Sequence, residues 1–330
     1  MTESANSSVA VRRVAVSGQQ HHDVVFPLVI EPEAPVPNFV NTLNWIHDSR
    51  EKLLGDLALH GALLLRGFPV RTDLDFDSCI GAFDLPGFTY AESLSNAVRR
   101  NRTPRVFTAN EAPPSAAIYL HHEMAQTPLY PSALFFFCEH AASSGGATPL
   151  CRSDILLAAM QAELPDFVAA CEELGVRYAN VMPAEEDLES AQGRSWHSTL
   201  GADTRAAAEA KLARLGYDWQ WQSDDSLRAV TPVLPAVRTL PDGRRVFFNQ
   251  LIAAFRGWQD RRNTAQKSIS FGDGSVIPVA AMDRVIALAD ALTFDLVWQT
   301  GDVVLVDNFL VMHGRRPYVG ERRVLAALVA

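Results

Sequence analysis

With 330 residues, of which 48% are hydrophobic and 20% charged, the chain can bury a large core and has the balance of a globular protein, so disorder along its whole length is excluded. A net charge of −9 argues against a nucleic-acid surface, which needs a concentrated basic face to displace counterions. No run approaches the roughly 18 uninterrupted apolar residues of a membrane span, and the N-terminus has no apolar stretch of the kind a signal peptide requires, so a cytoplasmic protein without a membrane or nucleic-acid partner is expected.

Residues 1–20 are polar and irregular and read as a flexible arm; residues 21–330 contain no repeat and no long linker and read as one domain. Apolar residues at helical spacing over 39–59, stopped at Gly61, predict a helix, and the apolar run 62–66 predicts a buried strand. Arg99, Arg100, Arg102 and Arg105 form a short basic cluster without an aromatic residue, read as a solvated or substrate-facing loop. The run 132–140, SALFFFCEH, bounded by Pro131 and the Ser-Ser-Gly-Gly turn at 143–146, predicts a central strand. Helical spacing over 153–174, with Ser153 or Asp154 as N-cap, is interrupted at Pro165, where a new helix can begin.

A further helix is predicted over 204–215, followed by strand-like runs at 217–222, 227–233 and 245–250. Residues 256–278 are rich in Arg, Gly, Ser, Asp and Asn and predict a long loop, with 256–275 as a lid candidate. A helix over 278–292 leads to the strand-like segments 297–308 and 324–329. Cys79, Cys138, Cys151 and Cys171 fall at unrelated spacings and read as buried reduced thiols. Many short strands with helices inserted between them predict a mixed β fold, a double-stranded β-helix (jelly-roll) core flanked by α-helices.

The residues with chemical promise are His121 and Glu123 in Leu-His-His-Glu-Met and, far along the chain, His313. Strand alternation places 121 and 123 on one face and turns His122 away, toward a hydrogen bond in a second layer. Two polar groups facing an aromatic, strand-rich interior require a shared partner, and a divalent cation satisfies both. Two imidazoles and a carboxylate form the ligand set of a mononuclear non-heme Fe(II) oxygenase; a zinc hydrolase can use the same set. Arg323, in an apolar terminal strand, requires an anionic partner such as a carboxylate beside the metal, with Arg322 on the other face.

Ordered blocks along most of the chain, among them HGALLLRGF at 60–68, LHHEM at 120–124, YPSALFFFCEHAASSGGATPL at 130–150, VFFNQ at 246–250, FGDGSVIP at 271–278 and the stretch 298–328, resemble the taurine catabolism dioxygenase family (TauD/TfdA-like), the Fe(II)- and 2-oxoglutarate-dependent oxygenases, nearest its amino-acid hydroxylase branch. The resemblance implies His121, Glu123 and His313 as metal ligands, Thr148 as a contact to 2-oxoglutarate and Arg323 as the clamp on its distal carboxylate. It also implies O2 as the other co-substrate, with succinate and CO2 released as a C–H bond is hydroxylated. Desaturation, epoxidation and cyclisation are alternative outcomes of the same cofactors.

Halogenases related to the family have a small residue where Glu123 stands, so halogenation is disfavoured. In the taurine enzyme an arginine that meets the sulfonate stands at the position of Ala327, which disfavours taurine. A non-catalytic jelly-roll binder would retain the strands but have no use for the triad. The substrate implied is an amino acid or a derivative, free or tethered to a carrier protein, the net negative charge favouring the free form. Arg102, Arg105, Trp196, Asn249 and Gln250 are the candidate substrate contacts.

Overall fold

The computed structural model describes residues 9–330 apart from 89–98, 110–111, 188–189, 191–192 and 259. A seven-stranded sheet runs in the spatial order Val11–Val14, Leu28–Pro32, Ala62–Leu65, Val303–Asp307, Ala133–His140, Arg323–Val329 and Phe107–Thr108. Its neighbours are antiparallel, except that Leu28–Pro32 and Ala62–Leu65 run parallel. Parallel neighbours need a crossover, and the helix Phe39–His60 supplies it. Asn38 caps the start of that helix by accepting from the Asn41 amide, and Gly61, at φ 81°, ends it by donating to the Leu57 carbonyl.

A second, four-stranded antiparallel sheet is ordered Phe294–Leu296, Thr148–Arg152, Val311–Arg315 and Ile118–His121. The two sheets pack face to face. Leu134, Phe136, Val304, Val324, Ala326 and Leu328 of the larger meet Leu150, Leu296 and Val311 of the smaller, which makes the jelly-roll interior, without closure into a barrel. The outer face of the large sheet, with Phe135, Phe137, Leu305, Leu325 and Ala327, is covered by Ile46, Leu53 and Leu57 of the Phe39–His60 helix and by Phe76 and Ile80 of Asp73–Ala82. The small sheet is covered on its outer face by Ser153–Glu163, Pro165–Leu174, Leu251–Gly257 and Val279–Ala291. Both sheets are therefore buried on both faces, the reason their strands read as continuous apolar runs rather than alternating ones.

A third antiparallel sheet, ordered Asp218–Trp221, Leu227–Val230, Val176–Met182 and Ile269–Phe271, packs with the helices Trp196–Leu200 and Arg205–Arg214 around Trp196, Leu212, Tyr217 and Leu227. Thr204 caps the second of these helices by accepting from the Ala207 amide at 3.2 Å.

Four local expectations are corrected. Residues 9–20 are not an arm, because Val11–Val14 pairs with Leu28–Pro32 as the edge strand of the large sheet; residues 1–8 lie outside the described residues. The loop expected over 256–278 contains the strand Ile269–Phe271, paired with Val176–Tyr178, and Asn263 is 3% exposed and accepts from the Val181 amide at 2.9 Å. The strand pairing and the Asn263 bond tie these parts of the segment to the third sheet. The helix beginning at Ser153 has Arg152 at its N-cap, since the Ser153 hydroxyl instead donates to the Leu310 carbonyl at 3.1 Å. Finally, of 245–250 only Arg245–Val246 is a strand.

Candidate active site

His121 ends the strand Ile118–His121, and its cross-strand partner in the small sheet is His313. Direct partners on neighbouring strands bring their side chains together, and the two imidazole centroids lie 4.3 Å apart. Glu123 lies beyond the strand end, so alternation along a strand does not position it. Asn308 does: its side-chain oxygen accepts from the Glu123 amide at 2.7 Å, and its amide group donates to the Glu123 carbonyl at 3.0 Å. These two bonds imitate a strand partner where the ladder has ended. Met124 follows at φ 59° and turns the chain sharply away. Ligating atoms of His121, Glu123 and His313 all fall within 4.8 Å of one another.

Glu123 Oε2 lies 3.8 Å from His121 Nε2 and 3.5 Å from His313 Nε2. The Tyr119 carbonyl sits 2.8 Å from His121 Nδ1. A carbonyl only accepts, so Nδ1 carries the proton and Nε2 turns a lone pair toward the carboxylate. Acceptors facing acceptors in a buried setting are costly, and a cation between them is what this donor set fits.

Burial opposes ionisation of Glu123, yet the Arg99 charge and the adjoining His121 and His313 hold its carboxyl well below the ordinary range. Burial, with the neighbouring His121, pushes His313 down to about 4 against the pull of Glu123. Near neutral pH the carboxylate is charged and His313 is neutral, the protonation states that ligation requires. His122 faces away, as expected: its Nδ1 meets the Asn308 carbonyl, its ring lies 4.8 Å from that of Phe248, and burial pushes it down to about 3.

Thr148, 5% exposed, lies two residues before Leu150, the strand partner of His313, and its hydroxyl accepts from Trp298 Nε1 at 3.0 Å. The two arginines at the entry to the terminal strand are placed the reverse of the expectation. Arg323 is directed outward, its side chain 51% exposed and paired with Glu139 at 3.4 Å and Glu321 at 3.2 Å. Arg322 stands just before the strand Arg323–Val329, whose register shifts between Arg323 and Val324, and is half-buried. Its Nε donates to the Gly146 carbonyl at 2.9 Å. Burial, reinforced by the nearby positive charge of Arg315, lowers it to about 10, and among the described residues no carboxylate pairs with it. A half-buried cation without a carboxylate partner calls for an anion.

The candidate substrate contacts do not converge on the triad. Arg102 bonds Asp73 at 2.9 Å and Glu139 at 3.1 Å, Arg105 bonds Asp77 at 3.0 Å, and Trp196 is stacked on His197 inside the third sheet's core. Asn249 accepts through its side chain from the Leu251 amide and donates to the Ala236 carbonyl, which shapes the buried turn. Gln250 does reach the metal-ligand loop, donating to the His122 carbonyl at 2.9 Å. Two residues at the site carried no individual role in the sequence reading. Asn308 fell at the end of the strand-like segment 297–308, and Arg99, one of the basic cluster, donates to Glu123 Oε1 at 3.0 Å. The requirement that a buried carboxylate have a cationic partner was the available signal for Arg99.

Residues 27–328 match the family described as taurine catabolism dioxygenase TauD, TfdA family. The chain belongs to this family. It is thus a dioxygenase whose cofactors are iron(II) and 2-oxoglutarate, and the clustered imidazoles and carboxylate fit such a metal. A clavaminate synthase-like protein of Arabidopsis thaliana is 37% identical over 317 residues, covering 94% of this chain and 96% of the relative. The dapdiamide synthesis protein DdaC of Enterobacter agglomerans is 28% identical over 333 residues, covering 96% and 93%. Among solved structures, PvcB of Pseudomonas aeruginosa aligns with a TM-score of 0.54 at 16% identity, covering 98% of this chain and 91% of its own. A taurine dioxygenase from Burkholderia xenovorans aligns with a TM-score of 0.54 at 13% identity, covering 97% and 90%. These likenesses establish the shared fold. Among the described residues no helix is long and apolar enough to cross a membrane.

Proposed function

We propose that this dioxygenase hydroxylates an unactivated C–H bond of an amino acid or amino-acid-derived metabolite, with His121, Glu123 and His313 as the iron ligands. The observation that carries the assignment is the meeting of two imidazoles and a carboxylate from two strands and a turn within 4.8 Å. When bound, iron and 2-oxoglutarate supply the oxidising power, with O2 consumed and succinate and CO2 released.

The protein's residues bind, orient and exclude water. Tyr119 fixes the tautomer of His121, Asn308 holds the backbone of Glu123, and the Phe136 ring, 5.3 Å from that of His313, closes the inner wall against solvent. Arg322 takes the role first assigned to Arg323, its guanidinium receiving the distal carboxylate of 2-oxoglutarate beside Thr148. Gln250 supports the loop of His122 rather than the substrate.

The substrate class draws support from two relatives, one named for dapdiamide synthesis and one described as an Fe, alpha-ketoglutarate dependent oxygenase from an isonitrile synthetic pathway. The four free, buried cysteines, each pushed up to about 12 chiefly by burial, fit a reducing cytoplasmic setting. A panel of free amino acids, simple derivatives and carrier-bound aminoacyl groups, assayed for substrate-stimulated succinate formation and a product heavier by one oxygen atom, tests the proposal. A free amino acid or derivative is expected to respond; stimulation by none of these, with another metabolite class active, contradicts it.

A further inference from the structure

The two oxygens of Glu123 have different partners. Oε1 accepts from Arg99 at 3.0 Å, whereas Oε2 faces both imidazoles, at 3.5 Å from His313 Nε2 and 3.8 Å from His121 Nε2. Arg99 is not a loose surface charge. Its side chain is 13% exposed, and its guanidinium lies 5.1 Å over the ring of Phe107, a residue of the last strand of the large sheet. An ion pair and a cation–π contact together fix its direction of approach.

We propose that Arg99 is a positioning residue that restricts Glu123 to a single metal-facing oxygen. The inference rests on the reading of His121, Glu123 and His313 as the iron ligands. A carboxylate can ligate through one oxygen or two. With one, His121, His313 and Glu123 would hold the metal and leave room on it for 2-oxoglutarate and O2. With two, a position needed by a co-substrate is lost. By occupying Oε1, Arg99 keeps that position open. The competing account is a buried ion pair that only stabilises the fold, whose removal would leave Glu123 uncompensated.

Cobalt(II), a spectroscopic stand-in for iron, separates the two accounts in the purified full-length protein. Arg99→Met is expected to keep the near-UV circular dichroism and to bind cobalt, but with altered d–d absorption before 2-oxoglutarate is added. Its affinity for 2-oxoglutarate is expected to fall by about tenfold or more, the scale of effect seen when a partner of a metal ligand is removed. Arg99→Lys, which restores a cationic donor, should move both readouts back toward wild type. If Arg99→Met does not fold, Arg99→Gln, which keeps an N–H donor without the charge, is judged on the same two readouts.

A folded variant with the wild-type cobalt spectrum and unchanged 2-oxoglutarate affinity overturns the proposal. So does a uniform loss of stability and binding without spectral change. Wild-type protein whose cobalt spectrum is untouched by His313→Ala would instead overturn the ligand assignment itself.

Discussion

The loop that carries Glu123 and the entry to the terminal strand, which carries Arg322, both shield an ionisable side chain from solvent, yet they differ in what holds that residue. Around Glu123 the chain has left the sheet, and a side chain from elsewhere, Asn308, holds the backbone through two hydrogen bonds. Arg322 stands just before the terminal strand, whose register shifts between Arg323 and Val324, and its Nε is held by the Gly146 carbonyl while Arg323 points outward. A site built on a turn depends on the clamp. Arg322 depends on a single side-chain bond to the Gly146 carbonyl.

The contrast can be broken at four points, in descending order of effect. His121→Ala, Glu123→Ala or His313→Ala should each abolish substrate-dependent succinate formation while leaving far-UV circular dichroism close to wild type; full activity in any one would remove that residue from the ligand set. Arg322→Met should weaken 2-oxoglutarate binding by roughly tenfold to a hundredfold, corresponding to ~1.5–3 kcal/mol for a charge-assisted hydrogen bond, whereas Arg323→Met, which loses only half-exposed ion pairs, should change it by less than about twofold. A larger effect at Arg323 than at Arg322 in an isothermal titration would return the carboxylate contact to Arg323.

Asn308→Ala leaves the buried amide and carbonyl of Glu123 without their partner, at about 1–3 kcal/mol of stability, and is expected to weaken metal binding more than 2-oxoglutarate binding. A urea midpoint and a cobalt titration measure the two.

The smallest effect is the acid sensitivity of the metal-free protein. His122 and His313 are held at about 3 and about 4 when folded, below the ordinary ~6.5 of an unfolded histidine. The unfolded chain therefore binds more protons below that value, and stability, fully present above it, is lost as pH falls from there toward the folded values. The denaturation midpoint of the metal-free protein should drop between pH 7 and pH 5. His122→Asn should drop less steeply, and an equal slope would discount His122 as a contributor.

Much of the fold was legible because both sheets are buried on both faces, which gives apolar runs such as 132–140 and 303–307 that resemble nothing but strands. That same burial hid the parity of the terminal strand, since Val324 to Val329 are all buried and no alternation remains to show which side faces the metal. His121 and His313 were legible as polar intrusions into aromatic surroundings. The clamp at Asn308 was not, because its partner lies 185 positions away and its residue type is ordinary in a turn. The strand within the segment expected as a loop was hidden for a related reason. Ile269–Phe271 is a short strand among polar residues, recognisable only once its partner Val176–Tyr178 is known.

The central claim is that His121, Glu123 and His313 hold iron in a site that accepts 2-oxoglutarate. Anaerobic titration of the protein with Fe(II) and then 2-oxoglutarate tests it directly, through the visible charge-transfer absorption of a metal chelated by the keto acid. The account predicts a saturable band at one iron per chain in the wild type and none in His313→Ala. No band in the wild type, or an undiminished band in the variant, would contradict it.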